Sequence, residues 1–523
     1  MQWDTPLLQA LLHTLGIGGG VALLASCLAL LFVLAFFWCR IPAWPIALLA
    51  LSTLLMVPVY VQATAWSAGF GDFGWLRLSQ VSAAKNPWFA VASVIWIHTC
   101  SILPSCLWIL AIGSLRASSP ALELALLEHG PYTAIRTHWL PKMRSWILLS
   151  LLWAFCSVQA DMVVTNLFQV PTLCESIYQQ VQFGRLRSPP IATAWIISIA
   201  CGLSIALLVK LHSQTQRSDK RTDAYLSERG AGQGASFSLT NHPTLSLPPP
   251  AFLVATIATW LLVSLVAILP WCNLLSRLGW VSTLVDNAPS RSWSALETLN
   301  ALWHVQDFHK ELTWSVQLCC WTSLLSLTLA LLALRCCFPT PPRHAPILTI
   351  SITFILACML ATPGPLINLA VAQSMLHLLP QPLAWLYDQT LLPPILALQF
   401  RTLPISFGIL WIAASQYRSH YRELHASELL LPLKWKAKLW GAWMLRPILA
   451  TLFVSFTLAF GDLSSYLLVQ PPGVTTIAMR MFDLLHYGTK NREAALALLL
   501  AILTTIPCTF LIISLRRTRR IRP

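Results

Sequence analysis

SSPALELALLEHGPYTAIRTHWLPKMR (Ser118–Arg144) is a polar, charged island between two long apolar runs, 88–113 and 145–167. Each flanking run exceeds the roughly 20 residues a helix needs to cross a bilayer core, so the island reads as a loop at a membrane face. Similar runs recur along all 523 residues, which are 56% hydrophobic and only 10% charged. A soluble domain carries roughly a quarter charged residues. The expected fold class is therefore an all-α polytopic membrane protein. About 11 spans are legible, at 13–37, 44–65, 88–113, 145–167, 190–211, 251–272, 312–334, 345–365, 393–416, 447–468 and 493–515.

Charge sets the expected orientation. With the N-terminus outside, roughly two thirds of the 34 Lys and Arg fall in segments that alternate crossing assigns to the cytoplasm, the C-terminus included. The formal charge of +15 then reflects topology. No basic stripe with interleaved aromatics points to nucleic acid. The opening MQWDTP has no basic region before its apolar stretch, so the first run is expected to be a retained span and not a cleaved signal. Most of the 14 cysteines lie inside apolar runs, where free cysteine behaves as a small hydrophobe. None has zinc-site spacing; Cys174 and Cys272 are expected on one membrane face, where a bridge is conceivable. His212–Pro250, rich in Ser, Gly, Gln and Pro, reads as a solvated cytoplasmic linker. It divides the chain into halves at 1–211 and 251–523.

The halves repeat at an offset of about 300 residues. Leu103-Pro104 recurs as Leu403-Pro404, Glu123 and Glu128 as Glu423 and Glu428, and Pro131 as Pro432. Asp161, followed by Gln169-Val170-Pro171, recurs as Asp462 followed by Gln470-Pro471-Pro472. An even number of crossings separates the copies, so both share one orientation and the repeats are parallel. That argues against inverted-repeat transporters but not against those with parallel halves.

Within the opening loop, Ser119 can cap a helix with Pro120 at its first position and Glu123 in its first turn. Gly130-Pro131 should break that helix, and a second short helix is expected over 132–139, ending at Leu140-Pro141. The residues Glu123, Ala125, Glu128, Gly130, Pro131, Leu140 and Pro141 resemble the EAA loop of permease subunits of binding-protein-dependent ABC importers. Leu124 stands where that motif has its first alanine. The second loop, 418–446, keeps Glu423, Glu428 and Pro432 but lacks the glycine and the Leu-Pro ending. VPVYVQATAW (57–66), ADMVVTNLFQVPTLCESIY (160–178) and GDLSSYLLVQPPGVTTIAMRMFDLLHYG (461–488) are similar to the fused, two-half permeases of ferric iron and thiamine importers. The resemblance implies two parallel pseudo-repeats of the ABC importer permease (MetI-like) type in the bacterial inner membrane. It also implies two copies of a separate ATPase, which bind ATP and Mg and grip both loops. A periplasmic binding protein would deliver ferric iron, thiamine or a similar small solute, with the outer segments 168–189 and 469–492 forming the gate.

The chain has no Gly-x4-Gly-Lys-[Ser/Thr] sequence to cradle ATP phosphates, and no hydrolase motif. It is expected to have no catalytic residues, metal site or cofactor of its own. GIGGG (16–20) suits close helix packing. Ionisable residues at membrane depth are costly and point to function; Asp161, Asp462 and Arg401 qualify, with His98, Gln62, Gln159 and Asn166 as polar neighbours. Asp161, Asn166, Asp462 and Ser464 are the candidate lining of a translocation path. Two readings of the aspartates stand open: a pair that attracts a cation, or two carboxylates that each shape their own helix. Arg401 has Asp388 or the outer surface as its expected partner. The alternative from another class is an ion- or proton-coupled secondary transporter with Asp161 and Asp462 as proton sites.

Overall fold

The computed structural model describes residues 5–70, 87–117, 120–184, 187–227, 248–285, 288–337, 345–378, 385–420, 433–487 and 490–517. The long helix α1 (Thr5–Val33) widens into a π-turn over Leu34–Trp38. Next come α2 (Trp44–Thr53) with a short 3-10 turn to Met56, then α3 (Val59–Phe70) and α4 (Pro87–Ala117). The loop helix α5 (Pro120–Ala134) passes through a π-turn into α6 (Leu140–Ala160); α7 (Val163–Leu167), α8 (Leu173–Gln182) and α9 (Ser188–Ser227) complete the first half. The second half begins with α10 (Pro249–Val263) and α11 (Leu269–Leu278), joined by a π-turn. It continues through an antiparallel hairpin, β1 (Trp280–Val285) and β2 (Ala288–Trp293), to α12 (Ala295–Trp303) and α13 (Phe308–Cys337). Then follow α14 (Ala345–Ala361), α15 (Gly364–Leu378), α16 (Trp385–Gln389), α17 (Leu392–His420), α18 (Leu433–Gly461), α19 (Ile477–Tyr487) and α20 (Lys490–Arg517).

Among the described residues, eight helices are long and apolar enough to cross a membrane, or ten crossings if each of two bent pairs is one. The chain is a multi-pass membrane protein. The expected straight spans 44–65 and 345–365 are both broken, the first by 110° between Met56 and Val59 and the second by 112° between Ala361 and Gly364. Each break carries a proline, Pro58 or Pro363, whose missing N–H and ring clash end the upstream helix. The expected spans 145–167 and 447–468 also end early, at Ala160 and Gly461.

Other expectations are corrected. The hairpin at 280–293 was not anticipated from the sequence. α9 carries helix to Ser227, well into the expected linker. Cys174 is buried, Cys272 exposed, and both are free thiols. Leu140-Pro141 ends nothing: the π-turn over Ile135–Trp139 runs straight into α6. A π-turn also precedes Leu269-Pro270. The wider ring at these two places accommodates a proline that lacks the donor for a regular α-turn.

Lipid is as apolar as leucine, so packing between spans depends on close fit and small residues. α1, α4 and α6 form one tight trio, and α13, α17 and α18 another. A Cβ on Gly18 would meet the Phe155 ring at 2.8 Å and one on Gly20 the Ile95 side chain at 3.1 Å, so GIGGG is a packing stripe. The trios are interlocked by the two bent helices: α3 packs on α11 and α20, and α15 on α8. Polar groups stitch the same seam, as Asn273 Nδ2 donates to Ala65 O at 3.1 Å and Ser198 Oγ to Ala361 O at 3.3 Å.

Candidate functional site

The breaks after α6 and α18 place Asp161 and Asp462 at one level, on the wall of a cavity of about 230 Å³. Each carboxylate first serves its own chain. Asp161 takes the backbone N–H of Val163 on Oδ1 (3.3 Å) and of Val164 on Oδ2 (3.1 Å); Asp462 takes that of Ser465 on Oδ1 (3.1 Å) and accepts from the Ser465 hydroxyl on Oδ2. At Asp161 these bonds satisfy amides that the start of α7 leaves orphaned; at Asp462 they pin the turn that follows α18. Each aspartate thus shapes the backbone just beyond its own helix.

Each carboxylate also faces a basic side chain from its own half. His98 on α4 puts Nε2 3.3 Å from Asp161 Oδ2, and Arg401 on α17 puts Nε 3.7 Å from Asp462 Oδ2. Arg401 therefore pairs with Asp462 and not with Asp388. Its other donors gather helix-end carbonyls: Leu360 O, Thr362 O at 2.6 Å, and Ala160 O of the first half at 3.5 Å. Helix C-termini carry partial negative charge, so a buried guanidinium with five donors suits this junction.

Ser464 ties the halves together. Its hydroxyl donates to Asp161 Oδ1 at 3.2 Å and accepts from Met162 N at 3.2 Å, while its carbonyl accepts from Asn368 Nδ2 at 3.1 Å. Gly364 lets the bent helix α15 approach, because a Cβ there would lie 2.5 Å from Ser464 O. Tyr60, beside the other bend, donates to Phe460 O at 3.3 Å. The result is a clasp across the centre of the protein. Its cavity extends along α4, α6 and α17 past Ser105, Trp153 and Ile405; Ser105 and Trp153 lie nearer than Asp161 to the α5 loop along their helices. With nearly every charged donor and acceptor engaged inside the clasp, the cavity offers a mostly apolar wall. No group of three or more His, Cys, Asp and Glu suited to a metal occurs among the described residues.

Asn166 stands apart from the cavity. It donates to Glu175 Oε1 at 2.9 Å, and its Oδ1 lies 2.9 Å from His486 Nε2 of the second half. Glu175 is buried on the short helix α8, with Oε2 lacking a hydrogen-bond partner among the described residues. Burial pushes its carboxyl above the ordinary carboxylate range, against the lowering effect of Asn166 and Gln179.

The opening loop lies at the far end of α6. Gly130 adopts φ 75° and ψ 171°, a conformation open to glycine alone. Leu122 and Ala125 are buried against the first trio, whereas Leu124, Leu127 and Tyr132 are 55%, 85% and 76% exposed. Glu128 is exposed beside His129, Leu140 is partly exposed, and Pro131 and Pro141 are exposed. Glu123 lies on α5; Glu423, Glu428 and Pro432 lie outside the described residues. His98 as the partner of Asp161, Ser465 as the donor to Asp462 and the carbonyl knot around Arg401 were not foreseen.

Comparison with known protein families, with curated proteins and with solved structures finds no match.

Proposed function

We propose that this chain is the membrane permease of an ATP-driven importer, both of its halves built as parallel pseudo-repeats of the ABC importer type. A separate ATPase, in two copies, binds ATP and Mg and grips the loops at 118–144 and 418–446. A periplasmic binding protein delivers the solute at the outer face of the inner membrane, where the N-terminus lies. By sequence resemblance that solute is ferric iron first and thiamine second. The chain itself transports and does not hydrolyse.

One observation carries the reading. A loop that exposes three large apolar side chains beyond the bundle, Leu124 and Leu127 before the kink at Gly130 and Tyr132 after it, leads through the helix from Pro131 onward and α6 to the clasp at Asp161. Exposed apolar clusters of this kind mark docking surfaces, and a rigid connection from such a surface to a central seam is what mechanical coupling requires. Further support comes from features shared by the halves: a helix trio, a proline-bent helix and an aspartate-capped break in each.

Co-expression with the ATPase encoded nearest to this gene tests the reading. A stable complex is expected, and Leu127→Asp should lower its recovery at least about tenfold by burying a charge in an apolar contact. In sealed vesicles, solute uptake that persists without ATP and collapses with the proton gradient would refute it in favour of a secondary transporter.

A further inference from the structure

The hairpin and α12 join two apolar spans, one ending with α11 at Leu278 and the other beginning with α13 at Phe308. Neither is long enough to cross a bilayer, so both lie at the membrane face where these spans end. Both ends of α12 are fixed there. At its start Ser294 N donates to Gly279 O at 2.7 Å, beside the end of α11, and the Ser294 hydroxyl caps the helix by accepting from Glu297 N at 3.3 Å. At its end the Trp303 ring meets the His309 ring of α13 edge-on, with centroids 4.7 Å apart. The turn that follows is held by Arg480 of α19, which donates to Gln306 O at 3.2 Å and pairs with Glu311. α12 is a strut laid along the surface from one span to the next.

The strut has three different sides. Thr298 and Leu302 are buried, Leu302 in the same core as Ala494 and Leu498 of α20. Next to them around the helix, within an arc of about 60°, come Leu299, Trp303 and Leu296, which are 40%, 51% and 77% exposed. Asn300, His304 and Glu297 follow, all exposed. A helix surrounded by water would hide the middle sector, and one enclosed by lipid would lack the polar sector. Core, apolar and polar sides in succession mark a helix at the boundary between an apolar medium and water. The adjoining spans show what that medium is: Leu275 in the last turn of α11 and Val316 in the third turn of α13 are both exposed. Tryptophans stand at both ends of the strut, Trp303 and the exposed Trp293 packed over Gly279, and such rings favour the headgroup level.

We propose that α12 is an interfacial anchor seated in the lipid at this membrane face. Leu296, Leu299 and Trp303 reach about 5–10 Å into the boundary between headgroups and acyl chains, while Asn300, His304 and Glu297 face water. Lipid covers the ridge, and not a soluble partner, because the ridge continues the apolar surface of the two spans it joins and ends in tryptophan. The anchor rests on the membrane class alone; neither an ATPase nor a solute enters it.

Photolabelling of the unaltered full chain in lipid nanodiscs tests the anchor. Two phospholipids carry an aryl diazirine, one near the carbonyl end of an acyl chain and the other at its tip, and mass spectrometry locates the adducts. The shallow probe should mark Leu296, Leu299 and Trp303 at least about fivefold more than Asn300 and Ala301 on the same helix. The tip probe should mark Trp321 and Leu324, which are exposed on α13 about 20–24 Å along the helix from Phe308. It should mark α12 at least about fivefold less than those two. Shallow labelling that misses α12 while reaching Val316, or that spreads evenly around the helix, would overturn the proposal. So would tip labelling of α12 equal to that of Trp321. Loss of the α12 adducts in native membranes, with α13 still marked, would show a protein covering the ridge and would overturn it as well.

Discussion

Replacing Gly364 with alanine tests the clasp with one methyl group. The new Cβ would stand 2.5 Å from Ser464 O, 2.6 Å from its carbonyl carbon and 2.8 Å from its Cβ. Two of these atoms are backbone and cannot swing aside, so the strand of chain must retreat by about 1 Å to ordinary contact. That movement stretches the Ser464–Asp161 bond of 3.2 Å and the Asn368–Ser464 bond of 3.1 Å beyond useful length. Overpacking costs about 1–3 kcal/mol and two lost hydrogen bonds roughly 1 kcal/mol each, together about 3–5 kcal/mol. Gly408→Ala is the control: Gly408 is inside α17 with nothing within 4 Å of its added Cβ, and the change should be neutral or stabilise by about 0.5–1 kcal/mol. Thermal unfolding of both variants in nanodiscs, with exchange across 461–468 as the local readout, separates them. Equal melting temperatures and equal local exchange would refute the close approach.

Arg401→Met should destabilise by about 3–5 kcal/mol, because it strands Asp462 and three carbonyls; adding Asp462→Asn should restore part of this in a double-mutant cycle of unfolding. Gly130→Ala should lower melting modestly and abolish ATPase co-purification, because a side chain at φ 75° costs about 1–3 kcal/mol of local strain even though nothing lies within 4 Å of the added Cβ. Glu175 binds a proton more tightly folded than unfolded, so its contribution to stability grows as pH falls through its raised pKa and is lost above it. Glu175→Gln, which keeps an acceptor for Asn166 and Gln179, should flatten that part of the pH–stability profile.

Membrane class was legible because apolar runs of span length report directly on the solvent they meet. Less legible was what each run does at its proline. Pro58 and Pro104 look alike in sequence, but α4 continues through Pro104 while the chain turns by 110° at Pro58; neighbouring helices decide that, and they are far away in sequence. The hairpin at 280–293 hides between two apolar runs because its alternation is short and its polar and apolar residues are mixed. At the clasp, intramembrane cost flagged Asp161, Asp462 and Arg401. The pairing was not readable from the repeat: Ser101, not His98, occupies the position corresponding to Arg401, so the two basic side chains stand one helical turn apart.

The unbroken α6 has a geometric consequence. Its 21 residues at about 1.5 Å each make a rod about 31 Å long. Pivoted near the loop, a tilt of only about 5° would carry its far end about 3 Å sideways. The bonds that Met162 N and Asp161 make with Ser464 are both 3.2 Å long and fail when stretched by a few tenths of an ångström. In the proposed import cycle the rod is a lever with a threshold: rotations at the loop end that move its far end by less than a few tenths of an ångström leave both bonds intact, and larger ones break them together.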